Sequence, residues 1–188
     1  MRTSRARLVV GSAVLVAATA AALVVPTAAQ AAPSGDTTVT FILSAGALSI
    51  TTPATAALGS AAVGAATITA QLGAVTVTDA RGLLLGAWTT AVTATSFTTG
   101  TATTPETLPN SAVAYWSGPA TATTGLGVGI PGQAAAGSAQ LLSTSRTAFS
   151  KTAGVGNNSS AWNPTLIVTV PAEAVAGTYT GTVTHSVA

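Results

Sequence analysis

The chain has 188 residues, only 5% of them charged, and its formal net charge of +2 rests on arginines at the extreme N-terminus. Beyond residue 31 three basic residues face four acidic ones, a balance of −1, which excludes the clustered Lys/Arg surface that nucleic-acid phosphates require. There is no cysteine, so an exported form would have no disulfide scaffold and the core alone must hold the fold.

In chain order, Arg2, Arg5 and Arg7 precede an unbroken run of apolar and small residues from Leu8 to Val25. "PTAAQAAP" follows, with Ala29 and Ala31 in the small-residue pattern of a cleavage site. Residues 1–31 therefore read as a secretory signal peptide cut after Ala31, leaving no membrane span in the mature chain. Removing 31 of the 188 residues leaves about 157, and a chain of roughly 150 residues buries close to 70% of its unfolded surface, enough for one domain. Residues 32–36 read as a flexible lead and residues 37–188 as that domain.

The remainder alternates β-branched runs with Gly, Pro, Ala and Thr punctuation. "TTVTFILS" places Val39, Phe41 and Leu43 on one face of a strand, and "ALSITT" does the same with Leu48 and Ile50. In "ATITAQLGAVTVTD" the apolar parity flips at Gly73, as at a bulge or tight turn. "GAWTTAVTATSFTTG" reads as one strand with Trp88 and Val92 on one face and Ala91 and Phe97 on the other. "NSAVAYWSGP" is a short strand in which Tyr115 and Trp116 must point to opposite faces. Residues 118–137 read as the longest loop. "AQLLSTS" and "TLIVTV" follow as strands, separated by "AGVGNNSS". "PAEAVAG" has Pro at its start and Gly at its stop and predicts a single helical turn at a corner. Tyr179 comes next, placed for a tyrosine corner whose hydroxyl bonds to upstream backbone. The closing "GTYTGTVTHSV" puts Tyr179, Val183, His185 and Val187 on one side and threonines on the other. Short strands at this spacing predict an all-β fold, a single antiparallel β-sandwich of the Ig-like or Greek-key type.

Three stretches resemble one family. "VTVTDARG" followed by "AWTTAVTATSF" is similar to the first signature of the WxL-domain surface proteins of Gram-positive bacteria, through Asp79, Arg81, Gly82 and Trp88. "WNPTLIVTVPAEAVAGTYTGTVTHSV" resembles the closing hairpin of that domain. "ETLPNSAVAYWSGP" and "TAFSKTAGVGNNSSAWNP" are similar to its secreted actinobacterial branch. Thr90 stands where the first Trp-x-Leu has leucine, and His185 and Val187 replace the second tryptophan and leucine. The resemblance implies a secreted, non-catalytic β-sandwich that associates non-covalently with cell-wall peptidoglycan. An alternative is a structural subunit that self-associates or docks on companion surface proteins through β edges.

Trp88, Tyr115, Trp116 and Trp162 are the candidates for binding, since flat rings stack on sugar faces; the competing reading places large aromatics in the core. Asp79, Arg81, Gly82, Tyr179 and His185 match the family motifs structurally, Asp79 pairing with Arg81 or stabilising its turn. No catalytic residue is assigned: His185 has no nucleophile partner in sequence, and the four mature carboxylates do not suggest a paired acid and base. One histidine and scattered carboxylates predict no metal site and no cofactor.

Overall fold

The structure, a computed structural model, describes residues 33–188; the expected signal peptide lies outside them. The strands in chain order are β1 (Leu48–Thr51), β2 (Thr67–Gln71), β3 (Val75–Asp79), β4 (Leu84–Ala94), β5 (Phe97–Thr98), β6 (Thr107–Leu108), β7 (Val113–Trp116), β8 (Ala120–Pro131), β9 (Gln140–Leu141), β10 (Arg146–Trp162), β11 (Thr165–Thr169) and β12 (Val183–Val187). All pairings between them are antiparallel. The fold is the predicted all-β sandwich.

The larger sheet is built around β10. Its register runs from Trp162 opposite Val75 to Asn158 opposite Asp79, then from Val155 opposite Leu84 to Arg146 opposite Val92. So β3 and β4 lie end to end along one side of β10, and β8 covers the other side. Outside β3 lies β1, and outside β4 lies β12. The second sheet has the order β2-β11-β7-β9, and β5 pairs with β6 and makes one isolated antiparallel bridge from Thr98 to Thr180. Val75, Val77, Trp88, Val92, Phe149 and Trp162 from the first sheet meet Val113, Tyr115, Leu166 and Val168 from the second, all buried. Strand parity thus does what the sequence demands: one face is apolar and enclosed, the other carries threonine.

Several boundaries differ from the sequence reading. "TTVTFILS" forms no strand; residues 33–47 contain no regular element, and Phe41 is 82% exposed. Alternation favours a strand only where a neighbouring edge takes up its backbone groups, and no described strand does so here. Residues 118–137 are not a loop, since they contain the 12-residue β8. Likewise "AGVGNNSS" lies within the 17-residue β10, where register shifts on both sides absorb its irregularity. "AQLLSTS" shrinks to two strand residues, and the strand expected to continue through Phe97 breaks after Ala94.

Gly73 marks neither a bulge nor a tight turn, since residues 72–74 form no turn and the strands on either side lie in different sheets. With φ of +93° it carries the chain from β2 in one sheet to β3 in the other, and Pro53 Cγ lies 2.8 Å from where its Cβ would be. The tail is also corrected. β11 and β12 belong to different sheets, so they are not a hairpin. "PAEAVAG" makes the crossing with one hydrogen-bonded turn, Ala174 N donating to Pro171 O at 3.1 Å, and no helix.

Candidate functional site

Three of the four candidate aromatic residues lie in the core, which follows from their parity. Trp88 on β4, Tyr115 on β7 and Trp162 on β10 all face inward and are buried. Phe149, also on β10, stacks between the two indoles, 4.9 Å from Trp162 with planes 14° apart and 6.2 Å from Trp88. These rings have no face left for a sugar, so Trp88, Tyr115 and Trp162 are not a surface platform. Trp116, the next residue after Tyr115, points the other way as alternation requires and is half-buried.

His185 is the end of a hydrogen-bonded chain within this core. Trp162 Nε1 donates to Tyr115 Oη at 3.2 Å, and Tyr115 Oη lies 3.1 Å from His185 Nε2. The indole can only donate, so Tyr115 Oη accepts there; we assign the phenolic proton to His185 Nε2, its one other partner, because this leaves no buried hydroxyl proton unpaired, and the assignment puts the imidazole proton on Nδ1. Burial holds the imidazole neutral by lowering its pKa to about 4, and burial raises that of Tyr115. Burial thus favours the neutral form of both groups, and among the described residues no serine or threonine hydroxyl bonds to His185.

The motif residues Asp79, Arg81 and Gly82 form a second, polar arrangement where β3 gives way to β4. Arg81 Nε and an Nη bond the two oxygens of Asp79 at 2.9 Å each, and Arg81 N bonds Oδ1 at 3.1 Å. The same Nη reaches Ala87 O at 2.9 Å, tying off the 82–86 excursion at its base. The Arg81 guanidinium holds the Asp79 carboxyl below the usual carboxylate range. Gly82 and Leu85 both have positive φ, and Leu84 and Leu85 project into solvent at the tip. Beside it the buried Lys151 donates to Thr124 O and Ser159 O, both at 3.2 Å, with its pKa lowered by burial.

Tyr179 makes the expected corner. Its hydroxyl lies 3.0 Å from Val175 O and 3.2 Å from Pro105 O, joining the crossing to the turn before β6. Among the described residues no group of three or more His, Cys, Asp or Glu side chains gathers as metal ligands would.

The feature that sequence reasoning missed is β8. Its inward positions are Gly125, Gly127 and Gly129, because side chains of β10 fold over them: an added Cβ would meet Asn158, Lys151 and Phe149 at 2.8, 2.9 and 3.0 Å respectively. Its outward positions are Leu126, Val128 and Ile130, exposed by 67, 59 and 47%. Leu84, Val155 and Leu126 are register neighbours across β4, β10 and β8 and extend this apolar stripe. The signal was present, as apolar residues alternate through "GLGVGIP", but the glycines between them read as punctuation. No family model, curated protein or solved structure matches this chain.

Proposed function

We propose that this is an exported, non-catalytic surface protein that works by assembling with a second copy of itself through β8. The observation that carries this reading is the open outer edge of that strand. Among the described residues β8 pairs only with β10, so its other side offers N–H and C=O groups to an incoming strand. No charge guards the edge, since no charged residue occurs between Glu106 and Arg146; only the register shifts against β10 and Pro131 at the strand's end interrupt it. The stripe is also self-complementary. Two β8 strands running antiparallel about a two-fold axis at Val128 set Leu126 against Ile130 of the second copy, which is the isologous arrangement of a closed dimer.

Light scattering on the purified protein tests this. A dimer is expected, with Val128→Lys monomeric, since two lysines would then meet on the axis. A wild-type protein that stays monomeric at every concentration overturns the reading.

A second reading, association with cell-wall peptidoglycan, follows from the WxL-domain resemblance. Trp116 favours it as the one candidate aromatic that is not enclosed. Co-sedimentation with purified peptidoglycan, reduced several-fold in Trp116→Ala, supports it, and failure to sediment at low salt removes it.

A further inference from the structure

A cleft opens between the two sheets beneath the segment that joins β1 to β2. It comprises two adjoining cavities of about 610 and 330 Å³ that share Ala56, Leu58, Phe97, Thr180 and Gly181. Both are walled by Ala, Val, Leu, Phe, Gly, Thr and similar side chains, and no Asp, Glu, Lys or Arg lines either. The smaller reaches into the core, touching Leu72, Val75 and Leu166, and its one ionisable wall group is His185. The covering segment is built of small residues with little to hold it. Its backbone is tied by two bonds near its end, Ala65 N to Ala62 O at 3.0 Å and Val170 N to Ala66 O at 3.1 Å, and Leu58 packs against the core.

The imidazole gives this apolar space a chemical preference. Nε2 is occupied by Tyr115, and Tyr115 is held in turn by Trp162. Nδ1 therefore carries a proton and has no protein acceptor among the described residues. A guest in the smaller cavity would meet a largely apolar, uncharged wall with threonine hydroxyls at Thr52, Thr55, Thr180 and Thr182, and one imidazole N–H donor. A cationic or anionic guest would lose hydration with no opposite charge to receive it, whereas a carbonyl oxygen would satisfy the donor at no such cost.

We propose that this inter-sheet cavity binds an uncharged molecule with an aliphatic body and one carbonyl acceptor, an ester or an amide, that takes the proton of His185 Nδ1. The site shares no residue with β8 and stands or falls separately from assembly.

Octanamide, octane and octanoate are the probes, titrated into the full mature chain by calorimetry, with the nitrogen resonances of His185 followed in parallel. Octanamide should bind saturably and shift Nδ1, while octane should bind about fivefold to tenfold more weakly for want of the hydrogen bond. Octanoate should be the weakest. His185→Phe should bring octanamide down to the level of octane. Leu58→Trp, which fills the space where the two cavities meet and leaves the imidazole in place, should abolish binding of all three. Near-UV circular dichroism establishes that each variant is folded. The proposal is overturned if octanamide does not saturate the wild-type protein, if octanoate binds as well as the amide, or if a folded Leu58→Trp still binds. It is also overturned if a folded His185→Phe retains the preference for the amide.

Discussion

Protonating His185 in the folded protein would put a charge beside Tyr115 and Trp162 and destroy the acceptor that the phenol uses. The folded pKa of about 4 lies below the ordinary 6.5. Between those values the unfolded chain binds a proton that the folded chain does not, so stability rises with pH across the window. The contribution is fully present above pH 6.5 and is lost as the pH falls toward 4, with a ceiling on the order of 3 kcal/mol. Thermal melts should therefore show Tm falling between pH 7 and 4.5, and His185→Phe should flatten that fall. An unchanged slope in the variant would assign the effect elsewhere. Asp79 acts lower on the scale: its depressed pKa gives stability that is lost only as the pH drops through its folded value. Tyr179 offers a test of a purely geometric contact. Its hydroxyl serves the corner alone, so Tyr179→Phe should cost about 1 kcal/mol in urea unfolding. A variant as stable as wild type would mean that water replaces both carbonyls without loss.

At the level of elements, a strand was legible where side chains reported the pleat and illegible where backbone packing set the sequence. β1, β3, β4, β7, β11 and β12 all carry β-branched or aromatic residues at alternate positions, and each was found. β8 was hidden because its inner positions must be glycine to admit Asn158, Lys151 and Phe149 from β10. Residues 37–44 show the converse, since their apolar residues alternate yet they pair with no strand among the described residues. Pattern gives the face a strand would bury but not whether an edge exists to receive it. The glycine account makes a prediction of its own. Gly127 has φ of +120°, and an added Cβ would sit 2.9 Å from Thr152 O as well as from Lys151 Cε. Gly127→Ala should lower unfolding free energy by about 2 kcal/mol through strain and contact together. Thr123→Ala on the same exposed strand should stay within about 0.5 kcal/mol. Equal effects would mean that β8 is not held against β10 as described.

For the molecule as a whole, the sheet memberships were the part that local sequence could not supply. Neighbours in sequence are separated by the crossings at Gly73 and Pro171, while β12 finds its partner in β4, nearly a hundred residues earlier. What unites the halves is the side of β10 that faces the second sheet. Phe149 stands there between Trp88 and Trp162, and Trp162 bonds to Tyr115 across the gap. This also explains why the candidate aromatics gather without forming a platform: a chain with 4% aromatic residues and no disulfide spends them on joining its two layers. Phe149→Ala would leave a cavity between two indoles fixed on strands of one sheet, and backbone pairing limits how far they can collapse into it. The expected cost is about 3–5 kcal/mol, a large part of the total stability of roughly 5–15 kcal/mol typical of a single domain. Urea unfolding should show a much lower midpoint with an unchanged slope, because both sheets still unfold together. If instead two transitions separate, the sheets are independently stable, and the stack through Phe149 is not what makes them one body.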